Sequence, residues 1–306
     1  MKILLAGATG LVGSELRKKL LSEGHSLAIL SRSPKVNTAS ESFHVWNPTK
    51  NEIDTTAFDH VDAVINLAGA GVADKRWTAA YKQEILSSRV LSTRLLVETL
   101  KAIPHKVKTF INASAIGIYG YDTGNTLVDE NTPTGNDYLA NVVKDWEKEA
   151  FEAQKQGIRT IAIRIGIVLS HKGGALVTMA KPVKYWLGAA LGSGNQYISW
   201  IDINDLINEL IFILKTDSIS GIVNAVAPNP VTNKEFNRLL AKQLGTKILL
   251  PNVPSFALNL LLGEFSAAVI GGNKVSGQLI ESKGFEFEYK ELSESLMNKS
   301  AILDYF

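Results

Sequence analysis

The chain has 306 residues, of which 45% are apolar and 20% charged, with a formal net charge of +2 and no cysteine. That length and balance suit one large or two ordinary domains with a packed core. The near-neutral charge removes the electrostatic case for nucleic acid or an anionic membrane, and the lack of thiols excludes disulfides, thiolate catalysis and Cys-ligated zinc.

In chain order, short apolar runs alternate with amphipathic helical patterns. "KILLAG" (2–7) reads as a strand and "GSELRKKLLSEG" (13–24) as a helix. "SLAIL" (26–30) and "AVINLAG" (63–69) are strands, and "TAAYKQEILSSRVLSTRLLVETLKAI" (78–103) is a long helix. The strand "TFINASA" (109–115), the helix "YLANVVKDWEKEAFEAQKQG" (138–157) and the strand "TIAIRIG" (160–166) complete the first half. Strand–helix–strand repetition implies crossover units and a parallel sheet covered on both faces. The expected fold is therefore α/β, a Rossmann-type doubly wound parallel sheet.

Beyond residue 166 the pattern changes. Residues 173–201 are glycine-rich and irregular, "DINDLINELIFILKT" (202–216) is helical, "GIVNAVAP" (221–228) is a strand and "TNKEFNRLLAKQLG" (232–245) a helix, with at least one more helix after Pro251. The expected division is a Rossmann domain over 1–166 plus roughly 202–228, and a smaller, discontinuous C-terminal substrate-side domain over 167–201 and 229–306. The most apolar stretch, "PSFALNLLLGEFSAAVIGG" (254–272), is interrupted by Asn259, Glu264 and two serines, so it reads as a buried or interface helix and not a membrane span. The N-terminus runs directly into a strand and a glycine turn, which leaves no room for a signal peptide. A cytoplasmic location is expected. The five histidines stand singly, so no metal site is expected.

"GATGLVG" places Gly7, Gly10 and Gly13 between the first strand and the first helix. Glycines there let the chain turn with positive φ and let a pyrophosphate approach closely. The helix N-terminus adds unpaired N–H groups and a partial positive charge. Dinucleotide binding by this segment, through Gly7, Thr9, Gly10, Leu11, Val12 and Gly13, is the expectation. The second strand ends "LAILSRSP", so Ser31, Arg32 and Ser33 stand where an NAD site usually carries an acid for the ribose. Arg32 can pair with a 2′-phosphate and the serines can donate to it. NADP(H) is expected in preference to NAD(H).

These features, with "NLAGAG" (66–71) and "SAIGIYG" followed by Tyr138, resemble the extended short-chain dehydrogenase/reductases. Within them the chain is similar to an atypical branch, the sugar-nucleotide epimerase-like or NAD(P)-dependent epimerase/dehydratase family. Its marks include "KRWTAAYKQEILSSRVLSTRLL" (75–96), "RIGIVLSHKGGAL" (164–176), "LGSGNQYISWIDINDL" (191–206) and "VPSFALNLLLGE" (253–264). The resemblance implies a Rossmann-like domain with a C-terminal substrate-side domain, cofactor contacts from Leu67, Ala68 and Gly69, and NADP(H) binding in at least some members. It also implies a possible homodimer through the helices at 78–103 and 138–157.

In that superfamily a serine holds the substrate oxygen, a tyrosine transfers the proton, and a lysine four residues later binds the nicotinamide ribose and lowers the tyrosine's pKa. The resemblance assigns the first two roles to Ser114 and Tyr138. Val142 occupies the lysine position. Lys144 lies roughly 240° round the helix from Tyr138, whereas Asn141 lies on the right side and offers an uncharged donor. A tyrosine with a pKa of about 10 is about 0.1% phenolate at pH 7. Recovering about three pKa units is worth roughly 4 kcal/mol, or about 10³ in the population of base. Oxidation of an alcohol needs that base, whereas reduction of a carbonyl needs the protonated phenol.

Arg76 and Trp77 follow a glycine-containing loop after the 63–69 strand and precede a helix. Arg76 suits an anionic substrate group, or solvent; Trp77 suits stacking on a ring. Tyr119 is a candidate pocket wall. Arg89 and Arg94, within a long helix, read as ion-pair or packing residues, and Asp202 as a cap for the helix that follows it. The expected function is an NADP(H)-dependent oxidoreductase acting on a small molecule, reduction favoured over oxidation. The alternative is an NADPH-binding redox sensor or scaffold without turnover.

Overall fold

The computed structural model describes residues 1–297; the last part of the expected second domain, 298–306, lies outside the described residues. Two compact units emerge. The first comprises Met1–Ala115, Val142–Arg164 and Ile207–Val223; the second comprises Ile116–Asn141, Ile165–Leu206 and the described residues from Asn224 onward.

The first unit holds an eight-stranded sheet. Its strands in chain order begin β1 (Lys2–Ala6), β2 (Ser26–Ser31), β3 (Glu41–Asn47), β4 (Glu52–Ile53), β5 (Ala63–Asn66) and β6 (Thr109–Ala115), followed by Arg159–Ile165 and Gly221–Ala225. Across the sheet the order is Gly221–Ala225, Arg159–Ile165, β6, β5, β1, β2, β3, β4. The β1–β2, β1–β5, β2–β3 and β5–β6 pairs are parallel, and β4 turns back antiparallel on β3. This is the expected Rossmann-like α/β sheet, with strand order reversing beside β1, where open parallel sheets bind their ligands. Its central strands are continuously apolar because both faces are covered: Ile3, Leu4, Leu5, Val64, Ile65, Phe110 and Ile111 are fully buried.

The edge pair β3–β4 is not among the expected strands. "ESFHVWN" mixes polar and apolar residues without clean alternation because an edge strand is partly open to water, and only Glu41 and Trp46 in it are buried. Three helices matter for the site: α1 (Leu11–Ser22), α2 (Ala79–Ala102) and α3 (Tyr138–Phe151). One core cluster joins Leu4, Ala6, Leu30, Val64 and Phe110 of the sheet to Leu95, Leu96 and Leu100 of α2 and Ala150 of α3. On the outside, Arg94 of α2 forms an ion pair with Glu149 of α3 at 2.6 Å.

The second unit has its own core. Trp200 and Phe236 are fully buried in it with Leu169, Leu176, Val183, Leu240 and Leu292. Residues 116–141, expected within the first domain, belong here instead. Leu127–Val128 pairs with Lys274–Val275, and Asn273 Nδ2 donates to the Gly120 carbonyl at 2.8 Å. These ties span about half the chain, beyond the reach of any local pattern. Asp202 caps the helix Ile203–Lys215 by accepting from the Asn204 N–H at 2.9 Å, and its other oxygen accepts from Ser295 Oγ at 2.5 Å.

Candidate dinucleotide site and active-site residues

The glycine loop is built by close backbone approaches. Gly7 has φ +81°, and a Cβ there would sit 2.6 Å from the Leu67 carbonyl oxygen. A Cβ on Gly13 would sit 2.1 Å from the Gly7 oxygen. Both positions need glycine to keep β1, α1 and the β5 exit this close. Gly10 differs: it is exposed, and a Cβ there would meet only the Gly7 oxygen, at 3.5 Å. It is the N-cap of α1, no side chain caps that helix, and its first turn holds no acid. The first-turn N–H groups, at Leu11, Val12 and Gly13, have no intrahelical acceptor, and this positive end of the helix starts beside the exposed Thr9 and Gly10. These residues fit a pyrophosphate.

At the end of β2, Ser31 Oγ donates to the Ser33 carbonyl at 2.7 Å, closing a small turn. Arg32 is exposed on that turn. Lys35 lies over the Phe43 ring, its Nζ 5.6 Å from the centroid, and adds a second cation on the same edge. No carboxylate replaces the missing ribose acid within residues 30–36.

At the end of β5 a buried polar network fixes the loop that leaves it. Asn66 Nδ2 donates to Thr93 Oγ1 at 2.9 Å and to Asn112 Oδ1 at 2.7 Å. Thr93 Oγ1 donates to Asn112 Oδ1 at 3.2 Å and accepts from Trp146 Nε1 at 2.9 Å. The Ala68 N–H donates to Asn66 Oδ1 at 3.2 Å. Four elements are therefore locked to one another by groups that satisfy each other away from water. Sequence reasoning misses this network; its signal is an asparagine near the carboxyl end of two neighbouring strands, in "VIN" and "FIN".

The loop carries Leu67 and Ala68, both half-buried, and the exposed Gly69. Trp77 closes it: the residue is buried, its Nε1 donates to the Val72 carbonyl at 2.8 Å, and the Tyr81 hydroxyl donates to the Gly71 carbonyl. The expected stacking role of Trp77 is therefore replaced by a structural one. Arg76 beside it is exposed.

Ser114 also departs from expectation. Its hydroxyl is buried and donates to Glu147 Oε1 at 2.6 Å, and Arg164 grips the same carboxylate with Nε at 2.8 Å and Nη2 at 2.9 Å. A hydroxyl has one proton to give. Given to Glu147, it cannot polarise a substrate carbonyl. Ser114 is thus part of a buried ion-pair cluster that ties β6, α3 and the strand Arg159–Ile165.

In the second unit, Tyr138 is half-buried at the first position of α3. Asp137 caps that helix, accepting from the Ala140 N–H at 3.0 Å. The Tyr138 backbone N–H hydrogen-bonds the Tyr121 hydroxyl. Burial pushes the Tyr121 phenol up to about 12, the charges of Asp137 and Glu264 adding to the shift and the Tyr138 N–H opposing it. Tyr121 therefore stays protonated. Asn141 Nδ2 reaches back to the Asn136 carbonyl at 3.2 Å. Tyr119 is buried, and its hydroxyl donates to Asn224 Oδ1 at 2.7 Å; the expected pocket-wall role gives way to an internal tie. Val142, four residues after Tyr138, is buried.

Among the described residues no group of His, Asp and Glu is arranged to hold a metal ion, and no helix is long and apolar enough to cross a membrane.

Known proteins resemble this chain over nearly its whole length. The profile of the NAD-dependent epimerase/dehydratase family matches residues 3–225, and that of a domain of unknown function matches residues 253–298. An epimerase family protein of Mycobacterium leprae is 37% identical over 297 residues, covering 96% of this chain and 94% of its own length. One from Staphylococcus aureus is 37% identical over 296 residues, covering 96% and 97%. A human epimerase family protein crystallised with NADPH superimposes with a TM-score of 0.87 at 28% identity, over 98% of this chain and 99% of that one. A nucleoside-diphosphate sugar epimerase from Corynebacterium glutamicum gives a TM-score of 0.80 at 30% identity over 98% of this chain, which spans 58% of that protein.

Proposed function

The chain belongs to the NAD-dependent epimerase/dehydratase family, and we propose that it is an NADPH-dependent reductase of a small carbonyl compound. The observation that carries the cofactor choice is the β2 end, where Arg32 stands exposed and no acid is present. NADPH in the human relative supports it. Gly7, Gly10, Gly13 and the first turn of α1 hold the pyrophosphate, Arg32 the 2′-phosphate, the Ser31 proton being spent on the Ser33 carbonyl, and Leu67, Ala68 and Gly69 line the path beyond. Bound NADPH supplies a hydride to the carbonyl carbon. Tyr138 supplies the proton that ends on the alcohol oxygen. Val142 in the lysine position brings no charge to favour the phenolate, and reduction is the direction that needs the neutral phenol. Arg76 offers a charge for an anionic group on the substrate.

The test is a titration with NADPH and NADH followed by nicotinamide fluorescence, then a panel of aldehydes and ketones. NADPH is expected to bind more tightly than NADH. R32D is expected to weaken NADPH about 10- to 100-fold and leave NADH nearly unchanged, the loss of one charge-assisted contact plus a repulsion. Saturable NADPH oxidation with one carbonyl class, lost in Y138F, would establish the reaction.

The commitment of Ser114 to Glu147 favours a second reading, a protein that binds NADPH and senses or presents it without turnover. Tight binding with only background oxidation across the whole panel is its signature.

A further inference from the structure

Arg89 sits midway along α2, and its guanidinium lies beside two groups of known position. Its Cζ lies 5.2 Å from the centroid of the Trp146 ring. Gly69 is also a neighbour: a Cβ added there would meet Arg89 Cγ and Cζ at 3.3 Å and Nε at 3.5 Å. One Nη1 hydrogen is donated to the Ile85 carbonyl at 3.0 Å, one turn back on its own helix. Trp146 cannot slide away, because its Nε1 is bound to Thr93 in the buried network.

Each neighbour has meaning for the cofactor. Gly69 is exposed on the loop leaving β5, at the carboxyl end of the strand that neighbours β1. That is the edge along which a dinucleotide lies once its pyrophosphate is on α1. Trp146 stands four residues after Val142, so the two share one face of α3. That face carries the lysine in relatives that have it. The guanidinium thus lies close to both the β5 exit and a residue of the α3 face that carries Val142, and it arrives from α2.

We propose that Arg89 binds the ribose of the nicotinamide half of the dinucleotide and so takes over the anchoring role of the absent lysine. This rests on the NADPH-binding reading above. A guanidinium suits that role, since its planar fork presents two parallel N–H donors at the spacing of neighbouring oxygens and stacks on an aromatic face without losing them. Glycine at position 69 is what lets the side chain lie this low over the loop. A guanidinium is not a proton donor or acceptor in ordinary acid–base chemistry, so it anchors without taking part in proton transfer.

The experiment compares two ligands in one variant. NADPH carries the nicotinamide ribose; adenosine 2′,5′-bisphosphate carries only the adenosine end with its 2′-phosphate. R89M is expected to weaken NADPH about 10- to 100-fold and to leave the bisphosphate within about twofold, the change corresponding to one or two charge-assisted hydrogen bonds. Equal affinities for NADPH in R89M and the unmodified protein would overturn the proposal, as would equal losses for both ligands, which mark a packing role over Trp146. If R89M does not fold, R89K keeps the stem and the charge without the fork, and the same ratio of affinities is read. Failure of the unmodified protein to bind NADPH at all would remove the functional reading itself, an outcome separate from either result on Arg89.

Discussion

The glycine loop and the Ser114–Glu147–Arg164 cluster lie in the same unit, yet they are held by opposite means. The loop works by leaving side chains out. Gly7 and Gly13 are pressed against carbonyl groups, and Gly10 is left open. The cluster works by putting charge in: a carboxylate and a guanidinium, both buried, share a bidentate contact, with a serine hydroxyl completing the set. The first arrangement demands one residue type at each position. The second demands that its members satisfy each other, and a side chain that looks catalytic in isolation is spent on its neighbour. A serine at the right distance along a strand is therefore weak evidence of catalysis until its hydrogen-bond partner is known.

The largest expected effect divides the loop itself. G13A forces a methyl group to within 2.1 Å of a carbonyl oxygen. It is expected to destabilise the protein by about 3 kcal/mol or more and to abolish NADPH binding. G10A brings its methyl only into ordinary van der Waals contact with the Gly7 oxygen, at 3.5 Å, at a backbone of φ −72° and ψ 173° that alanine tolerates. It is expected to cost no more than about 1 kcal/mol as an N-cap change while weakening NADPH at least about tenfold, because the methyl occupies the approach of the pyrophosphate. Thermal unfolding paired with the NADPH titration separates the two. If G10A binds NADPH normally, the pyrophosphate does not lie over Gly10.

The buried cluster comes next. E147Q leaves Arg164 buried without its counter-charge, at an expected cost of about 3–5 kcal/mol in urea unfolding. S114A removes one hydrogen bond to a charged acceptor, with an expected loss of about 1–3 kcal/mol. Turnover per folded molecule should change little in S114A. A fall of a hundredfold or more in kcat with unchanged unfolding would return Ser114 to the reacting carbonyl and sink the structural reading.

What the residues reveal in advance follows the same division. Gly7, Gly10 and Gly13, the missing acid near Arg32 and the missing lysine at Val142 are legible because each is a statement about residue type at a fixed local offset. The partners of Ser114 are not: Glu147 lies 33 positions away. Trp77 looks like a stacking surface because an indole in a loop beside a cleft often is one, but its N–H serves Val72 and its ring is buried. Tyr119 is tied to Asn224, 105 positions on. Pairing across such distances depends on which strands become neighbours, and no local pattern encodes that. The helices and central strands are readable from periodicity, whereas β3 lacks it because one side of an edge strand meets water.

The smallest expected effect extends the contrast to the second unit. Asp205 is fully buried and accepts the backbone N–H groups of Glu288 at 2.7 Å and Tyr289 at 3.1 Å. Burial nevertheless pushes its carboxyl up to about 6, with the charges of Asp202 and Glu288 adding and the two N–H groups opposing. The folded state therefore holds the Asp205 proton more tightly than the unfolded chain does, where the pKa is about 3.9. Its contribution to stability is complete below that value and is lost as pH rises through about 6. Carboxylates such as Glu41, held low by hydrogen bonding to Arg17, act in the opposite sense, so total stability alone does not isolate Asp205. The difference between the protein and D205N does, since the other groups cancel. D205N is expected to be less stable by about 1–2 kcal/mol at pH 4, because one backbone N–H then faces an amide donor. That gap is expected to narrow between pH 4 and pH 7 as the unmodified protein loses what the amide never had. A gap that instead widens with pH would mean that the ionised carboxylate, gripped by its two N–H groups, is the more stable partner. Asp205 would then resemble the charge-satisfied Glu147 cluster and not a buried acid kept neutral by its surroundings.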